Sequence, residues 1–296
     1  MLPLSFVVLL AAAMHVHPTD VNPEPELGQV HWSRDLEASL SRAKEEHKPV
    51  FLLFQEIPGC ANCTGFGARV LGHPLLVAAI EHCCVPVAVR NNVPGSEAEI
   101  LKRFQEPSWN NPVVRFLDGH GKDLIPRADG VWDANGIASR MIAALEVSKQ
   151  PVPGYLAVAR DESDPVTEKA VFRMHCFWQG EAVLGAMAGV VSTTSGFVDG
   201  AEVVEVTYRP AVLSRAALVA KAQAGSCTAE VGGAFRKAPA ADQQHALRGT
   251  VYERLDLTPM QRMKVHSALT LGSDPSVWLT PAQMAAATAA DDRAEG

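Results

Sequence analysis

The chain has 296 residues, of which 47% are hydrophobic and 20% are charged, and its net charge is −7. This length is enough for two domains that each have a hydrophobic core, and the composition is typical of a folded protein rather than a disordered one. The negative net charge argues against a nucleic-acid partner, which would need a basic surface. No internal apolar run reaches the roughly 18–20 residues that span a bilayer, so we expect no membrane span.

Residues 1–23 precede the first predicted element. Within them, the stretch from Leu2 to Met14 is apolar and has the length of a signal peptide. It lacks the Lys or Arg that normally precedes such a stretch. We therefore predict that residues 1–23 are a possible signal peptide or a disordered tail, with a wrongly assigned start codon as a further alternative. Export, to the periplasm or out of the cell, is slightly favoured over a cytoplasmic location.

Strand-like and helix-like segments alternate over the first half of the chain. In chain order the pattern predicts a helix over Leu36–Glu46, a strand over Val50–Phe54, helices over Thr64–Leu71 and Leu75–Ile80, a strand over Cys84–Val89, a helix over Glu97–Phe104, a strand over Val113–Leu117 and a helix over Ile137–Leu145. Such alternation is typical of an α/β sheet with helices on its faces. We assign residues 24–150 to this first domain.

The next segment, residues 151–165, is rich in Pro, Gly and acidic residues, and we predict that it is a linker. The second domain is assigned to residues 166–296. Its predicted elements are a strand over Ala170–Met174, a helix over Phe177–Met187, strands over Val190–Ser195 and Glu202–Tyr208, and a helix over Arg215–Gln223. The pattern weakens beyond Gly225, and the region from Ala285 to Asp292 is predicted to be a frayed tail.

Two cysteines separated by two residues lie just after the strand over Val50–Phe54, in the string Gly59-Cys60-Ala61-Asn62-Cys63. At the start of a helix, unpaired backbone N–H groups and the helix dipole stabilise a thiolate, which is the reactive form of cysteine. Further along, Pro112 directly precedes the strand over Val113–Leu117. This combination resembles the thioredoxin superfamily over about residues 30–145.

The resemblance to thioredoxins implies thiol–disulfide exchange. Cys60 would attack a disulfide, Cys63 would resolve the mixed disulfide, and Pro112 would follow a cis bond and bind substrate beside the dithiol. Gly59 stands where thioredoxins usually carry Trp. A structural disulfide and half of a zinc site are the alternatives, although zinc usually has four ligands and the sequence holds no second Cys-x-x-Cys. We expect no metal and no cofactor.

A third cysteine, Cys176, also lies where a strand-like segment, Ala170–Met174, runs into a helix. It belongs to the string His175-Cys176-Phe177-Trp178-Gln179-Gly180-Glu181, and Ala201-Glu202-Val203-Val204-Glu205-Val206 follows later. The order and spacing of these strings resemble the peptide methionine sulfoxide reductase A family, best over about residues 168–225. The resemblance implies that the second half is a shortened α+β domain with a ferredoxin-like fold.

This second resemblance also implies roles for individual residues. Cys176 would attack the sulfur of methionine sulfoxide and pass through a sulfenic acid. Phe177 and Trp178 would form the apolar wall that accepts the methyl group, with ordinary core packing as the alternative. Glu202 would hydrogen-bond the sulfoxide oxygen and supply a proton.

Several features of that family are missing from this chain. His175 replaces the Gly that precedes the family's cysteine, Phe197 replaces a Tyr, and a segment with another active-site Tyr is absent. Tyr252 is a candidate for the second proton donor. Cys227 is a candidate for the resolving thiol, with a bystander role as the alternative.

The sequence therefore predicts an enzyme that acts on sulfur. The hypothesis is a thiol-dependent oxidoreductase for protein repair, which reduces methionine-S-sulfoxide, free or in an oxidised protein, through Cys176. The attached dithiol of Cys60 and Cys63 would be the reductant and would itself be recharged by a thiol reductant. The alternative is a thiol–disulfide oxidoreductase whose second domain is a catalytically lapsed binding module.

Overall fold

The computed structural model describes residues 24–225 and 227–295, with side chains described as far as residue 290. Residues 1–23, which hold the predicted signal peptide or tail, lie outside this range. The helices are α1 (Leu36–Glu46), α2 (Ala61–Arg69), α3 (Pro74–Cys83), α4 (Ser96–Phe104), α5 (Ala134–Val147), α6 (Gly154–Glu162), α7 (Phe177–Gly185), α8 (Arg215–Ala224), α9 (Pro259–Leu271) and α10 (Pro281–Glu295). The strands are β1 (Val50–Gln55), β2 (Val85–Arg90), β3 (Val113–Leu117), β4 (Glu168–Met174), β5 (Val190–Val198), β6 (Ala201–Tyr208), β7 (Cys227–Glu230) and β8 (Arg236–Lys237).

The first sheet has the strand order β2-β1-β3, in which β1 pairs parallel with β2 and antiparallel with β3. Every residue of β1 is buried, because helices cover both faces of the sheet. Phe51 and Leu53 pack with α2, α3 and α5, whereas Leu52 and Phe54 pack with α1 and α4. This alternation is the period of two expected of a central strand. The α/β class predicted for the first half, with helices on both faces of its sheet, is confirmed.

The second sheet is antiparallel, with the order β7-β4-β6-β5-β8. From β4 to β7 the chain runs β-α-β-β-α-β, which is the ferredoxin-like succession. The short β8 adds an outer strand beside β5. The α+β class predicted for the second half is thus confirmed.

The segment predicted to be a linker contains α6. Its apolar residues Tyr155, Leu156, Val158 and Ala159 are buried. They pack against α3 and α5 of the first half and α9 of the second, and they belong to a hydrophobic cluster that extends into both halves. The predicted linker over residues 151–165 therefore holds, at its centre, a helix with buried apolar residues that contacts both halves.

The C-terminal prediction is corrected, because the predicted frayed tail lies within α10. Before it, α9 begins with a capping box at Thr258 and Gln261 and packs against α7. Among the described residues, no single helix is both long and apolar enough to cross a membrane. The pair of α2 and α3 meets those criteria only when counted together, and the two helices meet at 83°.

Candidate active sites

Cys60 is exposed and occupies the N-cap position of α2. The nearby backbone N–H groups of Cys63 and Asn62 stabilise its thiolate, which lowers the pKa of the Cys60 thiol. The carboxylate of Glu56 opposes this effect through its negative charge. An accessible sulfur with a stabilised thiolate has the properties of a nucleophile.

Cys63 lies one helical turn further on and is completely buried. Its sulfur is 3.9 Å from that of Cys60, so the two thiols face each other but form no disulfide. Burial raises the pKa of the Cys63 thiol to about 11. Its Sγ also lies 2.6 Å from Oδ1 of Asn111, which accepts a hydrogen bond from the thiol. The two cysteines thus differ in the way that an attacking thiol and a resolving thiol must differ.

Pro112 lies beside this dithiol, because the residue before it is Asn111. The Asn111–Pro112 bond is cis, as predicted. Pro112 is itself buried, and its carbonyl accepts a hydrogen bond from Nε1 of Trp132 at 3.1 Å. On the same loop, Trp109 is 79% exposed. The ring of Pro112 is therefore not available at the surface, whereas Trp109, three residues before it, is exposed.

Gly59 explains one departure from the thioredoxin pattern. A Cβ atom at this position would lie 2.3 Å from the carbonyl oxygen of Glu56 and 2.6 Å from Cβ of Cys63. Its N–H donates to Oε1 of the buried Glu26 at 2.7 Å. A Trp at position 59 would therefore not fit this backbone.

Glu56 is a member of the first site that sequence reasoning missed. Among the described residues, it forms with Cys60 and Cys63 the group of metal-binding side chains whose ligand atoms all lie within 4.8 Å of one another. Zinc sites usually have four ligands, and this group offers three. Its position four residues before Cys60 gave no signal, because a lone Glu at a strand end is typical of many loops.

Cys176 is exposed and is the N-cap residue of α7, as its strand-to-helix context predicts. The next residue, Phe177, donates its backbone N–H to Oε2 of Glu202 at 2.8 Å. This bond joins the start of α7 to β6 and brings the Glu202 carboxylate to the helix end that carries Cys176. The Glu202 carboxylate thus lies at the start of the helix that Cys176 caps.

The aromatic side chains after Cys176 have different surroundings. Phe177 is buried and packs edge-to-face on Phe197, with ring centroids 5.6 Å apart. Trp178 is 39% exposed, and its ring centroid lies 4.0 Å from that of His245. Core packing thus describes Phe177, whereas Trp178 and His245 form a surface that a small apolar group can reach.

Cys227 and Tyr252, the candidates for the resolving thiol and the second proton donor, have different surroundings. Cys227 is the strand partner of Met174, two residues before Cys176, but it is buried, and burial raises the pKa of its thiol to about 11. Tyr252 packs in a separate hydrophobic cluster, whereas Phe177 belongs to the main one. Cys227 is therefore close in the sheet to the strand that leads to Cys176, whereas Tyr252 packs in a different hydrophobic cluster from Phe177.

Glu181 was also missed, although it lies one turn after Phe177 on the apolar face of α7. It is fully buried, and its Oε2 accepts a hydrogen bond from the backbone N–H of Gln244 at 2.8 Å. Within the described part of the chain, its Oε1 and Oγ of Ser195 are buried without a hydrogen-bond partner. Burial raises the pKa of Glu181 to about 7. A carboxyl group in an otherwise apolar helix face was the available sequence signal.

Comparison with known proteins adds one structural likeness. No family model matches the chain, and no curated protein matches it. A solved structure described as a DsbH oxidoreductase is similar to part of it, with 18% identity and a TM-score of 0.35. The match covers 46% of this chain and 96% of that one. The functional argument below therefore depends on the geometry of the two sites.

Proposed function

We propose that the chain is a thiol–disulfide oxidoreductase whose catalytic dithiol is Cys60 and Cys63. The observation that carries this proposal is the pairing of an exposed helix-capping thiol with a buried thiol 3.9 Å away. The lowered pKa of Cys60 and the raised pKa of Cys63 agree with the order in which the two would react.

In the first step, the Cys60 thiolate attacks one sulfur of a substrate disulfide. The substrate S–S bond breaks, a mixed disulfide forms with Cys60, and the departing thiolate takes up a proton. Cys63 then loses its proton and attacks the Cys60 sulfur, which releases the second substrate thiol. Two electrons have moved from the dithiol to the substrate. Glu56, whose carboxylate lies within 4.8 Å of both sulfurs, is the proposed acceptor of the Cys63 proton.

The test separates the two thiols by mutation. Cys60→Ser is expected to lower the reduction rate of a model disulfide by at least about 1,000-fold, as removal of a nucleophile usually does. Cys63→Ser is expected to accumulate a mixed disulfide between Cys60 and the substrate, detected by mass spectrometry. Cys83→Ala, which changes a buried thiol outside the site, is the matched control. A Cys60→Ser protein with the activity of the control would refute the proposal.

For the second site, we propose reduction of methionine sulfoxide at Cys176. The observation that favours this candidate is the hydrogen bond between Glu202 and the Phe177 amide, which puts a carboxyl group beside an exposed, helix-capping cysteine. Cys176 attacks the sulfoxide sulfur and forms an S–S bond while Glu202 supplies a proton to the oxygen. The oxygen then transfers to the Cys176 sulfur as the S–O bond and the new S–S bond to the substrate sulfur both break. The oxygen ends on Cys176 as a sulfenic acid, and the substrate leaves as a thioether.

The sulfenic acid is then reduced by thiols, which first form a disulfide with Cys176 and release water. Cys227, the attached Cys60/Cys63 dithiol and a small thiol reductant are the candidate donors. In this scheme the substrate is free methionine sulfoxide or an oxidised protein, and the latter case would be protein repair. If the second site is inert, the second half is instead a binding module attached to a disulfide exchanger.

An assay with dithiothreitol as reductant tests Cys176 independently of the first site. Wild-type protein is expected to reduce methionine-S-sulfoxide, and Cys176→Ser to lose at least about 1,000-fold in rate because the nucleophile is removed. Cys84→Ala, at a buried thiol of the first half, serves as the control. The proposal fails if wild type and Cys176→Ser are equally inactive.

A further inference from the structure

Three side chains form one row across the second sheet. Phe197 on β5 lies opposite Glu202 on β6 and, on its other side, opposite Arg236 on β8. Residues directly opposite one another in antiparallel strands point to the same face of the sheet. Glu202, Phe197 and Arg236 therefore share the face on which Phe177 packs against Phe197.

The guanidinium group of Arg236 lies over the ring of Phe197, 4.6 Å from its centroid. A cation over an aromatic face is held by the quadrupole of the ring, so the side chain has a preferred direction although the residue is exposed. Within the described part of the chain, the guanidinium makes no ion pair or hydrogen bond to another residue. The cation is oriented along the row and is available to an anion.

The spacing of the row suits a small substrate. Neighbouring strands are about 4.8 Å apart, so the backbones of Glu202 and Arg236 are separated by roughly 10 Å. The Arg236 side chain covers part of this distance because it lies over Phe197, which stands between them. A methyl sulfoxide next to Cys176 and Glu202 would leave the opposite end of a methionine-sized molecule near Arg236.

We propose that Arg236 binds the carboxylate of the substrate, and that the second site is therefore selective for free methionine sulfoxide. The proposal rests on the reduction proposed at Cys176 and identifies its substrate class. A methionine sulfoxide within a polypeptide carries an amide in place of this carboxylate, and so cannot form the ion pair. Bidentate pairing of a guanidinium with a carboxylate supplies orientation as well as affinity.

The test compares two substrates on the full-length protein, with dithiothreitol as reductant. One is L-methionine-(S)-sulfoxide, and the other is its carboxamide, which has the same sulfoxide and amino group but no carboxylate. Arg236→Gln is expected to raise KM for the free amino acid by roughly 10- to 100-fold, the range expected for a hydrogen bond to a charged group. KM for the carboxamide and kcat for both substrates are expected to stay within about twofold of wild type, since the machinery at Cys176 is untouched.

Lys237→Gln is the matched control for this experiment. It removes the same charge from the next residue of β8, which pairs with Gly196 and points to the opposite face. If Arg236→Gln changes KM equally for both substrates or for neither, the role of Arg236 is overturned while reduction at Cys176 stands. If wild type reduces neither substrate, the reaction proposed for Cys176 fails and the role of Arg236 fails with it.

Discussion

Gly67→Ala is expected to lower the free energy of unfolding by about 3 kcal/mol, the upper part of the range for overpacking a core. A Cβ atom at position 67 would lie 2.0 Å from the carbonyl oxygen of Pro25 and 2.7 Å from the carbonyl carbon of Glu26. Both are backbone atoms, which cannot turn aside as the end of a side chain can. The segment that would have to move carries the Glu26 carboxylate that binds Gly59. Urea unfolding measures the loss.

The same helix supplies the control for this prediction. Gly65→Ala would bring a Cβ atom to 2.8 Å from the guanidinium of Arg69, a flexible group that can swing away. Replacing Gly by Ala within a helix stabilises it by up to about 1 kcal/mol. Gly65→Ala is therefore expected to be neutral or stabilising. Equal losses in the two variants would show that the close approach of residues 25–26 to α2 does not limit stability.

Glu181→Gln is expected to raise the free energy of unfolding at pH 8 by up to about 3 kcal/mol. Burial raises the pKa of this carboxyl from 4.5 to about 7, so the folded protein holds the proton more tightly than the unfolded chain does. The stability that this carboxyl group contributes is therefore fully present below pH 4.5, and it is lost as the pH rises through about 7. Each pKa unit corresponds to about 1.4 kcal/mol. Glutamine keeps an acceptor oxygen for the Gln244 amide and carries no charge at any pH.

The measurement is the difference in unfolding free energy between wild type and Glu181→Gln at pH 4, 6 and 8. The difference is expected to be small at pH 4 and to grow towards pH 8. Glu99→Gln, at an exposed position on α4, is the control and should show no such trend. A difference that is the same at all three pH values would mean that Glu181 does not ionise within this range in the folded protein.

The positions of Cys60 and Cys176 at helix starts could be predicted from the sequence because the signals are local. In both halves an apolar strand ends a few residues before the cysteine, and a helix begins directly after it, so Cys60 and Cys176 cap α2 and α7. The cis bond before Pro112 was likewise predicted from the resemblance to thioredoxins.

Helices α6 and α9 could not be predicted, for two different physical reasons. The Pro, Gly and acidic residues around α6 are typical of a linker. They obscured the helical pattern of the apolar residues from Tyr155 to Ala159, which form the buried face of α6. In α9, polar residues such as Gln261, Lys264 and His266 are buried along with the apolar ones, so no amphipathic pattern is visible. The Nζ atom of Lys264 donates to the carbonyls of Gly185 and Met187, partners that only the folded chain brings near.

The surroundings of both sites depend on contacts between residues distant in sequence. Glu26 reaches Gly59 across 33 positions, and Asn111 reaches Cys63 across 48. His245 meets Trp178 only because α9 and the segment before it cover α7. None of these contacts has a periodicity or a short motif from which it could be predicted.

The burial of α6 against both halves determines how a destabilising mutation in one half affects the other. Because one hydrophobic cluster extends through α6 into both sheets, the two halves are expected to melt together rather than in succession. A lesion in either core would then remove the chemistry of both cysteine sites at once. Selection on either activity would thereby preserve the packing around the other.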